Sequence, residues 1–228
     1  MINKMSTMMI RTNRPLCICA LLLAIGVLAG SAHAEAINLA DLLAGGGEVT
    51  SGDKAFDQFA YTATSAMPTA DRVNIIPIMN GAGEHGVRIQ GGFSESADPG
   101  TGTAEFDFRV RATDPMMGID GATLASNTAA IFSADVTTTA TLSNGSTLVA
   151  FDTVAGGTDL LDFDAFGIVS ELNINIKIDI ETFETPSAGT VSLVDLTFHQ
   201  SPVPEPSTPL MMLGLVLPLL HLRRLRLR

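Results

Sequence analysis

The 228-residue chain predicts an all-β fold, an antiparallel β-sandwich of the jelly-roll or immunoglobulin-like kind, on three observations. Wherever the apolar pattern is clear its period is 2, the period of a strand with one buried face. Gly, Asn, Asp, Ser and Pro clusters punctuate the chain about every 10 to 15 residues, the spacing of short strands joined by turns. No fixed-period repeat is visible, which disfavours solenoids and propellers.

Residues 35–200 carry the predicted sandwich. Leu39 to Ala44 reads as one short helix, with Asn38 placed to cap its start and Gly45 its end. Strands follow at Lys54 to Thr64, Arg72 to Met79 and Gly86 to Phe93. Glu105 to Thr113 turns Phe106, Phe108, Val110 and Ala112 inward, while Glu105, Asp107, Arg109 and Arg111 face out. Their mixed signs predict cross-strand pairing rather than a binding patch. Met117 to Leu124 comes next, then Val136 to Leu142 and Thr147 to Phe151, joined by the two-residue hairpin signal Asn144-Gly145. After Asp159 to Phe163, Glu171 to Glu181 alternates without fault, with Leu172, Ile174, Ile176, Ile178 and Ile180 on one face. In the last strand, Gly189 to Gln200, Val191 and Leu193 share one parity and Leu196 and Phe198 the other, so a bulge or bend is expected near Val194. Most of the 11 phenylalanines fall at strand positions and read as core.

The two ends are different in kind. Lys4, Arg11 and Arg14 precede an apolar run from Leu16 to Leu28, and Ala32-His33-Ala34 supplies a small-x-small site, so residues 1–34 read as a signal peptide cut before Glu35. Export calls for the Sec translocon and signal peptidase as partners. Cys17 and Cys19, the chain's 2 cysteines, both lie in that segment. The exported product therefore has no disulfide, thiolate metal site or cysteine nucleophile.

At the other end, residues 201–208 form a Pro-rich linker containing Val203, Pro204, Glu205 and Pro206. Each proline fixes its own φ and pushes the preceding residue to extended geometry, so the motif is a stiff rod. Residues 209–222 are apolar and read as a single transmembrane helix, roughly 21 Å long at 1.5 Å per residue. That is short of the roughly 30 Å hydrocarbon thickness, and Pro218 weakens it further. Residues 223–228, with Arg223, Arg224, Arg226 and Arg228, form a basic stop-transfer tail that stays cytoplasmic.

This tail resembles the PEP-CTERM sorting signal, in which an exosortase recognises the Pro-Glu-Pro motif of an exported protein and processes it. Pro204, Glu205 and Pro206 match the motif, with Ser207 and Thr208 following; Pro209 and the leucines among the terminal arginines depart from the usual pattern. The stretch Leu39-Ala40-Asp41-Leu42-Leu43, with Gly52-Asp53-Lys54, Phe56, Phe59, Tyr61, Met67-Pro68 and Gly91-Gly92-Phe93, resembles the opening of an exported domain common among such proteins. The resemblance implies an exosortase partner, transient anchoring in the inner membrane with the domain periplasmic, and release to the cell surface or extracellular matrix. It implies exopolysaccharide as a further partner and no defined reaction.

Removing both ends sharpens the charge. Of the 13 basic residues only six remain (Lys54, Arg72, Arg88, Arg109, Arg111 and Lys177), against all 24 acidic ones, a formal −18 in place of −11. Such a surface repels nucleic acid and anionic lipid.

Few residues suggest chemistry. Asp159, Asp162 and Asp164 offer hard oxygens to Ca²⁺, without the glycine and distal glutamate of an EF-hand loop. No other cofactor is expected. Glu84-His85 is an acid-imidazole pair in a loop, without an identifiable nucleophile, and His199 has no ligand-spaced partner. There is no phosphate-binding glycine loop and no nucleophile elbow. With no Trp and a single Tyr, the chain lacks obvious aromatic sugar platforms. The expectation is a noncatalytic surface or matrix protein; the alternative is a calcium- or glycan-binding extracellular module.

Overall fold

The computed structural model describes residues 35–97 and 99–204. The expected signal peptide with Ala32 and Ala34, the motif residues Glu205 and Pro206, the apolar segment 209–222 and the four terminal arginines lie outside them. Among the described residues no helix is long and apolar enough to cross a membrane.

The chain runs β1 (Ile37–Asn38), α1 (Leu39–Gly45), β2 (Val49–Ser51), β3 (Lys54–Ala63), β4 (Asn74–Met79), β5 (His85–Glu95), β6 (Gly100–Ala112), β7 (Met117–Ile131), β8 (Ala134–Leu142), β9 (Thr147–Thr153), β10 (Gly157–Asp159), β11 (Leu161–Val169), β12 (Glu171–Thr182) and β13 (Ala188–Pro202). Two antiparallel sheets result, ordered β1-β4-β5-β13-β7-β11 and β10-β9-β8-β12-β6-β3-β2. Eight of the strands place β5, β13, β7 and β11 in one sheet and β9, β8, β12 and β6 in the other. That is the strand order of a jelly roll, two interlocked Greek keys, and not an immunoglobulin-like arrangement.

Local chemistry explains the elements. Asn38 caps α1 by accepting from the Ala40 N–H, and Gly46 ends it at φ 61°, one residue later than expected, because the left-handed position falls on the second glycine of the run. The β8–β9 connection is a three-residue loop, Ser143 to Gly145, and not the two-residue Asn-Gly hairpin expected: the Leu142 N–H bonds the Ser146 carbonyl, and only Gly145 takes a positive φ, 95°, as a type I turn followed by a glycine bulge requires. Pro77 sits in β4 beyond the two residues that pair with β1, where no ladder partner needs its missing N–H.

The alternation along β12 puts Ile174, Ile176, Ile178 and Ile180 into the core at 2% exposure or less. Phenylalanines weld the layers: Phe93 of β5 meets Phe106 of β6 edge-on, 5.8 Å between centroids, and Phe56 of β3 lies 6.0 Å from Phe198 of β13. The expected cross-strand pairing on β6 is present, with Arg109 bidentate to Asp57 of β3 at 2.9 Å. In β13 the register shifts between Val191 and Val194, so both are buried and Leu193 is not. The strand then continues through Pro202, pairing Ser201 with Gly118 and Pro202 with Met117. The sheet thus takes the first two residues of the stretch expected to be linker.

Candidate functional site

The end of β13 delivers the chain to the Pro-Glu-Pro motif. The Val203 N–H donates to the Met116 carbonyl at 2.8 Å, and Pro204 follows exposed. Beside this exit, His199 and Ser201 both bond the carboxylate of Asp120 on β7, His199 at 2.5 Å. Partial burial pushes that carboxyl up, but the Ser201 and His199 contacts together bring it below its ordinary value. Serine and imidazole each touch the acid and not one another, which is the wrong connectivity for activating a hydroxyl nucleophile.

The three candidate calcium ligands are divided by the fold. Asp159 ends β10 in the seven-stranded sheet, whereas Asp162 and Asp164 stand on β11 in the six-stranded one, and the chain crosses between layers at Leu160. Asp162 and Asp164 pair with the buried Leu124 and Ala122, on the inward face at the sandwich's open edge. Asp162 spends its oxygens on backbone: Oδ2 accepts from the Val149 N–H of β9 and Oδ1 from the Phe163 N–H, both at 2.8 Å. Among the described residues no three His, Cys, Asp or Glu side chains gather to hold a metal. Glu84 and His85 also part company. Glu84 bonds Asn80 and Thr197 on the outer face, while His85 approaches Ser51 and Gly52 at the sandwich's edge.

A groove of about 400 Å³ crosses the outer face of the six-stranded sheet. Its floor is the bidentate pair Arg88–Asp195, at 2.7 and 2.8 Å, linking β5 to β13, with Thr197, Thr123 and Ala125 beside it. One wall is Ile78, Met79 and Asn80 at the end of β4; the other is Leu161 of β11. Asn80 is locked in place: its oxygen accepts from the Ala82 and Glu84 N–H groups, and its amide nitrogen donates to Glu84 at 2.6 Å and Thr197 at 3.1 Å. Phe163, two residues beyond Leu161 on the same face, pairs with Thr123 and leans over Gly121. A methyl on Gly121 would lie 3.2 Å from that ring and 3.3 Å from His199 Cβ, so the bare backbone there leaves room for the ring.

No protein-family model and no curated protein matches the chain. Among solved structures, TmCBM61 in complex with beta-1,4-galactotriose aligns with TM-score 0.34 and 11% identity, over 62% of this chain and 89% of that one. An exo-beta-1,3-galactanase from Phanerochaete chrysosporium, with galactose, aligns with TM-score 0.19 and 9% identity, over 65% of this chain and 55% of that one. Neither likeness bears on function at these values.

Sequence reasoning passed over the groove and the Asp120 cluster. Arg88 and Asp195 are 107 residues apart, and His199 and Asp120 are 79 apart. Only the crossing of β13 between β5 and β7 brings them together. The one usable signal was the period-2 parity of β5 and β13, which puts Arg88 and Asp195 on solvent-facing positions.

Proposed function

We propose that this is an exported, noncatalytic protein of the cell surface or exopolysaccharide matrix, addressed and processed by an exosortase through Pro204-Glu205-Pro206. One observation carries the reading: the last backbone hydrogen bond among the described residues, from Val203 to Met116, falls one residue before the motif. Each proline of the motif fixes its own φ and holds the residue before it extended, so the chain is expected to leave the sheet as a stiff segment. A processing enzyme would then meet a stiff segment that starts at the exposed Pro204, directly after the last strand. The noncatalytic part of the reading is supported by the Asp120 cluster, whose histidine and serine are each committed to the carboxylate.

In this account the Sec translocon and signal peptidase deliver the domain, the apolar segment holds it transiently in the inner membrane, and cleavage near the motif frees it. The test is expression in a host lacking exosortase. The precursor should accumulate in the membrane fraction with its tail through Arg228 intact. Unchanged length and location in that host would sink the sorting assignment.

A further inference from the structure

The groove over Arg88–Asp195 divides its chemistry as a sugar ring does. Its β11 wall is Leu161, 60% exposed, and Phe163, 56% exposed and paired with the lining residue Thr123, extends that apolar face just beyond the groove, while the floor presents polar groups. We propose that this face binds a neutral glycan, the C–H face of a sugar packing on Leu161 and Phe163 while its hydroxyls meet the floor.

The floor is suited to hydroxyls. Arg88 uses one N–H from Nε and one from Nη2 on Asp195, so the remaining guanidinium N–H groups are available as donors, and each Asp195 oxygen keeps a lone pair. Donors and acceptors therefore stand side by side in a fixed plane, matched to a group that both gives and takes a hydrogen bond. Asn80, bonded on both ends of its amide, holds its wall rigid before any ligand arrives, which lowers the ordering cost of binding. A volume of about 400 Å³ lies within the roughly 300–1,000 Å³ of small-ligand clefts.

Charge and geometry select among occupants. Arg88 is neutralised by Asp195, and Glu84 and Asp120 add negative charge on the same face, so an anionic polysaccharide is repelled. An apolar protein surface would strip water from the ion pair without replacing its hydrogen bonds. A partner strand cannot join the floor, because β5, β13 and β7 are paired on both sides, and at the open β11 edge the Phe163 N–H is already taken by Asp162. Hydroxyls replace that water one for one.

The test uses the full chain in a polyoxyethylene detergent, which carries no sugar headgroup, run in native gels containing laminarin, galactan, xylan or dextran, with alginate as the anionic control. We expect retardation by at least one neutral polysaccharide and none by alginate. Phe163→Ala should weaken it by about tenfold, Phe163→Trp should keep it, and Phe132→Ala, at a still more exposed phenylalanine in the β7–β8 turn, should leave it unchanged. If Phe163→Ala unfolds, Leu161→Ala decides in the same way. Retardation by none of the four, retardation by alginate alone, or equal retardation of wild type and the folded alanine variant would overturn the proposal. Sorting at the motif stands or falls separately, since the gels read a surface that processing does not touch.

Discussion

Asp162 was the central residue of the expected calcium trio, and the fold gives it a different task. It stands where the two sheets would otherwise part, with one oxygen on the Val149 N–H of β9 and the other on the Phe163 N–H of its own edge strand. Both donors face an open edge that offers them no ladder partner. A backbone N–H bonded to a charged acceptor contributes about 1.5–3 kcal/mol when well shielded. Solvent reaches this edge and the Phe163 contact is strictly local, so Asp162→Ala should cost about 1–2 kcal/mol. In a domain of this size that lowers Tm by about 3–6 °C. Asp162→Asn keeps an acceptor oxygen for Val149 and should lose less. The assay is urea and thermal unfolding of both variants beside wild type, with and without millimolar CaCl₂. The same loss is expected in either buffer, because the carboxylate acts on backbone. A loss under about 0.5 kcal/mol, the scatter of ordinary surface substitutions, would refute the edge-clamp argument. So would a calcium-dependent rise in Tm present in wild type and missing from Asp162→Ala.

Tyr61 is the single tyrosine in a chain without tryptophan, and burial pushes its phenol up to about 12 while the hydroxyl donates to the Pro68 carbonyl. Ultraviolet titration should show phenolate forming near pH 12 in the folded protein, and the stability tied to the protonated phenol should fade between about pH 10 and 12; ionisation near 10 with the fold intact would contradict the burial. Asp57 is held below the ordinary carboxylate value by its hydrogen bond to Arg109, with burial opposing and the Arg109 and Arg111 charges assisting. Its contribution is present above the unfolded value of 3.8 and is lost as pH falls below it, so Asp57→Asn should be less stable at neutral pH and show a shallower acid limb. An unaltered acid limb would argue against this pair. In Gly86→Ala the new methyl would lie 2.1 Å from the Leu196 carbonyl oxygen and 2.6 Å from Thr197 Cα, both backbone, whereas Gly92→Ala meets nothing within 4 Å. The first should cost about 2 kcal/mol or more by forcing β5 from β13, the second much less, and equal losses by urea unfolding would refute the close approach.

The strands were legible where side chains alternate strongly, and less so where they do not. Glu171 to Glu181 is β12 almost to the residue, because five isoleucine and leucine side chains mark one face. β7 was expected to stop at Leu124 but runs to Ile131, since Ala125 to Ala130 contains only small or polar residues whose period is faint and whose inward Ser126 and Thr128 are buried. Asp159 to Phe163 was read as one strand. It is two, β10 and β11, in different sheets, and no local signal marks Leu160 as the place where the chain changes layer. The same limit governs the groove. Arg88, Asp195, Thr123 and Leu161 lie on four strands whose adjacency comes from crossovers, and a period-2 pattern says which face a residue occupies without saying who stands next to it.

The strand end is where the fold meets the proposed address: β13 closes at Pro202, Val203 makes the last backbone bond among the described residues, and the Pro-Glu-Pro sequence starts at Pro204. Intact-mass measurement of the protein recovered from its native envelope tests that junction. The account predicts a product that begins at Glu35 and ends within Pro204 to Thr208, with or without an added group at the new terminus. A product that retains residues 209–228, or one that still carries residues 1–34, would contradict it.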